Sequence, residues 1–467
     1  MSAPAETVAA GPQRLGRVLA SFDRWWWVGA AALVPVFVYL NLDALGMQGL
    51  YPEYLCFRRA IVHGLDPAAN TCQSPTFPMW GYGWLLVVTR TEAALLVFQG
   101  LAAVASAWFF LRVLAQADLL DGWPLRLAKA LLLVCIPWYA LHALRWPYSE
   151  ASTLDVLSVA VLCVVLRRGT TSYRLTAFSG ILFGLALNFR SDYIVLPLLV
   201  AVVVVFTPGG SKRPQLQRIG VWIAAIVVAL VPWLIYSARA TGHPLLTSTN
   251  GGHVLYISLG QLPGNPWGIT PFDGDPRMHR ELDAHFHHAA ASSLTYASDR
   301  YLRRRFVQLV RAHPAAWLHK DLLDAKSTFT GGLYDGEFIQ QQGCQPDCWT
   351  SYGYSSDGTT LLRSPLRTLF DGGLSGSRWL RFALLEASTV EGHLLAFAGF
   401  TLAFVLFGIG LRRRDPVLAV VASVVVFQAL MNTFTYYLPS YSSNVVVFAI
   451  ALVGIALARL RLWLRPA

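Results

Sequence analysis

The chain has 467 residues, 55% of them hydrophobic and 13% charged. A soluble domain carries about 25% charged residues, so this chain has half the polar coat such a surface needs. Nucleic-acid binders, disordered tails and disulfide-framed miniproteins are excluded, and the net charge of +11 becomes a question of where the basic residues sit.

A bilayer-crossing helix needs roughly 17–25 mostly apolar residues. Ten runs are read as spans, at residues 26–43, 92–115, 126–143, 150–166, 174–190, 192–207, 219–237, 391–411, 416–433 and 443–463. Residues 1–25 hold arginines but no apolar core with a small-residue cleavage site, so the first run reads as a retained span and not a signal peptide. The predicted fold is an all-α polytopic membrane protein with about ten transmembrane helices.

Between the first two spans, residues 44–91 do not cross. A helical pattern from Pro52 to His63 leads into the aromatics Phe77, Trp80, Tyr82 and Trp84. Such rings suit the membrane–water interface, so interfacial helices are expected here. The second non-crossing segment, residues 238–390, is rich in Gly, Pro, Ser and Asp and is long enough for a small external domain between spans seven and eight. In it Leu302, Phe306, Leu309 and Val310 follow one helical face, as do Leu318 and Leu322 after Pro314. Residues 26–237 and 391–467 then form the membrane domain.

Basic residues collect at cytoplasmic span ends. With the N-terminus inside, those ends receive Arg14, Arg17 and Arg24; Arg112, Arg126 and Lys129; Arg167, Arg168 and Arg174; Lys212, Arg213 and Arg218; Arg412 to Arg414; and Arg459, Arg461 and Arg465. An odd number of spans would break the pattern, so both termini are expected in the cytoplasm. Cys135 and Cys163 fall in spans and read as packing residues. Cys56, Cys72, Cys344 and Cys348 fall on the outer side, where Cys56–Cys72 and Cys344–Cys348 disulfides are expected in an oxidising compartment.

The outer face carries the polar groups with chemical potential. The first loop offers Asp43, Glu53, Arg58, Arg59, His63 and Asp66. A carboxylate within two helical turns of paired arginines can act as general base beside an anionic head group; the alternative is a solvated amphipathic helix. Further groups are Glu150 in Trp146–Glu150, Arg190 with Asp192, and Tyr436, Tyr437 and Tyr441. Ionisable residues at membrane depth are functional candidates because burying them is costly, although Arg190–Asp192 equally suits a structural ion pair at a tight turn. His285, His287 and His288 do not share one helical face and read as a solvated helix. Asp273 and Asp275 suit a Gly/Pro turn, with a divalent ion the less favoured option. No metal ligand set is assigned and no cofactor is identified. There is no GxxxxGK[ST] loop, GxSxG elbow or HExxH helix, so the energy for any reaction must arrive with the substrate.

Several stretches in order resemble the GT-C superfamily of membrane glycosyltransferases, which use polyprenyl-phosphate-linked sugars, and are similar to its bacterial aminoarabinose transferase and protein mannosyltransferase members. They are TGHPLLTSTNGGHVLYISLGQLPGNPWG (241–268), LVRAHPAAWLHKDLLDAK (309–326), PYSEASTLDVL (147–157), ALNFRSDYIVLPLL (186–199), FTYYLPSYSSNVVVFAIAL (434–452) and QSPTFPMWGYGWLL (73–86). The resemblance spans residues 26–455. It implies an inverting sugar transfer at the outer face of a bacterial cytoplasmic membrane, onto a glycan, lipid or protein acceptor. Glu53 would be the base, with the leaving phosphate held by Arg58, Arg59 or Arg190 and Lys326 as a further candidate. The first loop departs from the family pattern. Leu50 stands where an Asp is usual, so Glu53 is the nearest carboxylate and Asp66 and Asp43 are the fallbacks. A non-enzymatic carrier or flippase and a glycan ligase are the competing readings; no internal repeat of the transporter kind is visible.

Overall fold

The computed structural model describes residues 10–40, 52–64, 74–77, 79–145, 149–168, 172–206, 212–287, 292–333, 376–437 and 439–463. Among the described residues the chain is all-helical, with no strand. The long helices in chain order are α1 (Ala10–Leu40), α4 (Glu92–Gln116), α5 (Gly122–Arg145), α6 (Ser149–Arg168), α7 (Tyr173–Phe189), α9 (Lys212–Thr241), α14 (Gly376–Arg413), α15 (Pro416–Phe434) and α17 (Val446–Trp463). Between them lie α2 (Pro52–Val62), α3 (Gly81–Thr89), α8 (Leu196–Phe206), α10 (Gly251–Ser258), α11 (Pro276–His285), α12 (Tyr296–Ala312), α13 (Pro314–Thr330) and the single turn α16 (Pro439–Ser442). Every predicted span falls on a helix. Among the described residues, five segments are long and apolar enough to cross a bilayer: 93–116, 213–241, 389–413, 416–434 and 443–461. The protein is a multi-pass membrane protein on that ground.

Local chemistry sets several helix starts. Thr91, Ser172 and Asp415 accept N–H bonds from the first turns of α4, α7 and α15, and Pro416 and Pro314 occupy the first helical position, where a missing N–H costs nothing. α15 is buried continuously from Val417 to Ala429, and Val445 to Leu452 beside it are equally enclosed. A helix apolar all round belongs in the centre. The periphery behaves differently: Val228 and Ile235 on α9 and Leu394 and Phe397 on α14 are at least half exposed, as lipid-facing positions would be.

α7 and α9 approach closely through glycines. A Cβ at Gly180 would sit 2.4 Å from the Trp222 carbonyl oxygen, and one at Gly184 would sit 2.6 Å from Ala229 Cβ. Four residues apart, the two glycines present one bare stripe, as in small-xxx-small packing of membrane helices. Ser158 and Ser179 exchange hydrogen bonds between α6 and α7.

The first-loop segment is partly absorbed into this bundle. α2 matches its prediction, and its Phe57 packs edge-on against Tyr236 of α9. Trp80 and Tyr82, read as interface rings, also pack against the bundle. Tyr82 is buried and accepts a bond from Gln99. Trp80 donates to Asn188 Oδ1 at 2.8 Å and stacks near Trp233 and Tyr236. Trp84 alone of the three is exposed. α3, with nine residues, is too short to cross.

Helices α10 to α13 build a second core around Tyr256, Trp267, Met278, Leu282, Leu302 and Leu309. The predicted face of α12 is the buried one. The predicted face of α13 is not: Leu318 and Leu322 are exposed, and Lys320, Asp321, Asp324 and Thr328 point inward. The reason is electrostatic, since the Lys320 ammonium holds both carboxylates and a carbonyl (below). Asp273 and Asp275 serve two different purposes. Asp275 caps α11 and binds Thr270, whereas Asp273 pairs with His253. His285 stacks on Tyr301 at 4.2 Å, and His288 lies outside the described residues. Cys135 and Cys163 are buried and not disulfide-bonded, and Cys135 Sγ donates to the Leu132 carbonyl at 3.2 Å. Cys56 is disulfide-bonded; Cys72, Cys344 and Cys348 lie outside the described residues.

The α7–α9 seam gives a direct check. Gly184→Leu should cost about 1–3 kcal/mol through overpacking and lower the thermal unfolding midpoint in detergent. Gly220→Ala, where an added Cβ meets nothing within 4 Å, should not. Equal melting of all three proteins would contradict the close approach.

Candidate functional site: an arginine cleft

The sequence Asn188-Phe189-Arg190-Ser191-Asp192 ends one helix and starts the next. Arg190 leaves α7 in an extended conformation (φ −144°, ψ 109°), and a 3-10 turn, Ser191–Val195, re-enters as α8. The turn drives the Arg190 side chain inward, where it is 3% exposed. A buried guanidinium is tolerated only with partners. Asp192 Oδ2 accepts from Nε at 2.8 Å and from Nη2 at 2.7 Å. The Tyr441 ring lies 4.6 Å from the guanidinium carbon and the Tyr193 ring 5.9 Å, which adds cation–π attraction. Buried Asp155 on α6 is within its electrostatic reach.

Arg190 opens onto a cleft of about 280 Å³ between the bundle and the 238–333 segment. Arg303 of α12 also lines the space. Asp299 Oδ2 holds Arg303 Nε at 2.8 Å, and its Oδ1 accepts the Gly252 N–H at 2.6 Å. The double glycine of the Asn250-Gly251-Gly252 motif is a packing requirement here. A Cβ at Gly251 would sit 2.0 Å from Arg303 Nη2, and one at Gly252 would sit 2.2 Å from the Asp299 carbonyl oxygen. The N-terminus of α10 therefore lines the cleft beside Arg303, its dipole adding positive potential. The remaining walls are largely apolar, with Phe77, Met79, Phe189, Val254, Leu255 and Phe427.

Polar groups in α15 shape the inner wall. Tyr193 donates to Gln428, Gln428 Nε2 donates to Asn432 at 2.7 Å, and Asn432 Nδ2 donates to Ser442 at 2.7 Å. Lys320 fixes the end of this wall. Its Nζ is 2.8 Å from Asp324 Oδ2 and 3.3 Å from Asp321 Oδ1, and donates to the Thr435 carbonyl at 2.7 Å. Thr435, Tyr436 and Tyr441 follow into the cleft. Tyr436 donates to the Pro271 carbonyl at 2.8 Å, and burial pushes its phenol up to about 12, so it stays a neutral donor. Gln261 pairs with both backbone groups of Tyr437, which does not line the cleft.

The structure therefore brings Arg190, Asp192 and Tyr441 together. Arg58 (half-buried), Arg59 and Lys326 (both exposed) do not line this cleft. The side chains of Glu53 and Glu150, and all of Asp43 and Asp66, lie outside the described residues. Sequence reading missed Arg303, Lys320 and the Gln428–Asn432 pair. The amide pair carried a usable signal, two polar residues at i, i+4 in an apolar span. Arg303 carried none, sitting in the run Arg303-Arg304-Arg305. Two guanidiniums and a helix N-terminus over apolar walls suit a ligand with an anionic head and an apolar tail. No protein-family model matches the chain, and no curated protein or solved structure matches it.

The Lys320 cluster predicts a pH dependence. Burial, opposed by Lys320, pushes the Asp324 carboxyl up to about 6 from its ordinary value of 3.8. The folded state thus holds the extra proton, and the stability this group contributes is full below about pH 4 and lost as pH rises through about 6. The unfolding midpoint should fall across that window in the wild type and fall less in Asp324→Asn. An identical slope in the two proteins would rule the assignment out.

Proposed function

We propose that the chain is a GT-C type glycosyltransferase that moves a sugar from a polyprenyl-phosphate donor to an envelope glycan, lipid or protein acceptor, with inversion. The observation that carries this reading is one cleft lined by both Arg190 and Arg303 together with apolar walls. A lipid phosphate needs both halves of that environment. The resemblance of the ordered sequence stretches supplies the reaction type. In this reading ten helices span a bacterial cytoplasmic membrane, both termini are cytoplasmic, and residues 238–390 form the outer domain.

The chemistry follows from the charges. The acceptor hydroxyl oxygen attacks the anomeric carbon, and the bond from that carbon to the phosphate oxygen breaks. The electron pair leaves with the polyprenyl phosphate, and the hydroxyl proton passes to a carboxylate. Guanidiniums fixed where phosphate charge grows stabilise the transition state, and loss of one such donor costs on the order of 100-fold in rate. Arg190 and Arg303 take that role, with Arg58, Arg59 and Lys326 as further phosphate candidates. Glu53 is the proposed base, with Asp66 and Asp43 as fallbacks. Asp192 lines the cleft and has both its bonds from Arg190 on Oδ2, which makes it a third alternative.

Mass spectrometry of envelope glycans and lipid-linked intermediates tests this in the native host. Strains would carry the wild type, a deletion, or the deletion complemented with Arg303→Gln or Glu53→Gln at normal expression. One missing sugar unit with accumulated prenyl-phosphate donor is expected in the deletion, and a partial form of it in Arg303→Gln. Full rescue by Glu53→Gln would move the base to Asp66, Asp43 or Asp192. Complete glycans trapped on their lipid carrier would overturn the transferase in favour of a flippase or ligase.

A further inference from the structure

A second cavity lies at the opposite end of the bundle. Helices α4 to α7 reverse direction at short connections, so Arg112 near the end of α4 and Lys129 near the start of α5 are a full helix length from Arg190. Between them and α1 is a space of about 330 Å³, within the size range of small-ligand sites, whose lining includes Arg24, Trp27, Trp108, Arg112, Lys129 and Asp23. Trp27 and Trp108 pack at 6.1 Å, and the Arg112 guanidinium lies over the Trp108 ring at 5.5 Å.

The charge balance in this cavity is uneven. Its lining holds three cations and one carboxylate, and that carboxylate is already committed. Asp23 Oδ1 accepts from Lys129 Nζ at 2.9 Å, and Oδ2 accepts from Arg126 Nε at 2.9 Å. Burial works to raise the Asp23 carboxyl, but the bonds from Lys129 and Arg126 outweigh it and hold it below its usual value. It therefore stays ionised and bound to those two. Arg24 and Arg112 are exposed and have no carboxylate partner among the described residues. Their two positive charges are left for something else.

An ordinary solvated basic end looks different, as Arg412 to Arg414 on the same side illustrate: three exposed arginines outside this cavity. Here the cations rim a space walled by indoles, the side chains that favour the head-group level of a bilayer. Val28, Leu33 and Val36 continue from it along α1 as exposed apolar surface.

We infer that this cavity is a binding site for a diacyl anionic phospholipid of the basic-end leaflet, with its phosphate at Arg24 and Arg112 and its acyl chains along the exposed face of α1. Basic pockets between membrane helices take anionic head groups for this reason. The inference is independent of the transferase reading.

Native mass spectrometry of the full-length protein, delipidated in detergent and re-equilibrated with lipid, tests it. With phosphatidylglycerol, the wild type should retain a bound lipid that Arg24→Gln/Arg112→Gln binds on the order of tenfold more weakly. Arg24→Lys/Arg112→Lys should keep most of the binding. Arg412→Gln/Arg413→Gln, which removes the same charge from the same side, should bind like the wild type. Phosphatidylcholine should be retained weakly by all four. Equal phosphatidylglycerol retention in the wild type and the Arg24→Gln/Arg112→Gln protein, or in the two lipids, would overturn the site. Stabilisation of the wild type by low-millimolar inorganic phosphate without lipid retention would replace the lipid with a soluble anion. A dimer lost in the Arg24→Gln/Arg112→Gln protein, with no lipid bound, would make this face a self-interface.

Discussion

A guanidinium held at 3% exposure at the end of an apolar helix is the constraint around which this molecule is arranged. Arg190 cannot remain charged there without partners, and those partners come from separate parts of the chain. Asp192 requires the sharp turn between α7 and α8, and Tyr441 requires the segment after α15 to fold back over the bundle. That segment is held in turn by the Lys320 ammonium on the Thr435 carbonyl and by Gln261 on Tyr437. Helices α10 to α13 are thereby tied to the long apolar helices through the surroundings of one charge. A buried ion pair is weak evidence for stability, because desolvation offsets much of its attraction. The same cost makes an enclosed cation a strong ligand for an incoming phosphate.

Close backbone approach is the second theme. Gly180 and Gly184 bring α9 against α7, and Gly81 seats α3 against the Asn188 carbonyl, where a Cβ would approach to 2.8 Å. Gly251 and Gly252 then bring α12 onto α10, so that Arg303 reaches the cleft. A side chain at either position would push Arg303 or the α12 backbone away, so the placement of that charge is set by residues that carry none.

The sequence made the architecture readable because lipid imposes a simple code. Apolar runs of bilayer length fell on the long helices, and the turn at Arg190–Asp192 was visible as charge in an apolar stretch. The face of α12 was visible from its period. The face of α13 was not, since Leu318 and Leu322 point outward and Lys320 and Asp324 inward. Periodicity assigns burial by polarity and cannot see an ion cluster that satisfies itself across two elements. The packing of Trp80 and Tyr82 was not legible for a related reason: an aromatic ring reads the same whether it anchors at an interface or packs in a core. Arg303 was hidden among neighbouring arginines, and only the approach of α10 singles it out. The roles of Glu53, Asp43 and Asp66 rest on sequence alone.

The central claim is that the Arg190–Arg303 cleft binds the phosphate of a lipid-linked donor. Cryo-electron microscopy of the full-length protein with a short-chain polyprenyl phosphate tests it most directly. The account predicts phosphate density between the two guanidiniums, with the prenyl chain along the apolar wall near Phe427. Phosphate density at Arg58 and Arg59 with the Arg190 cleft empty would contradict it.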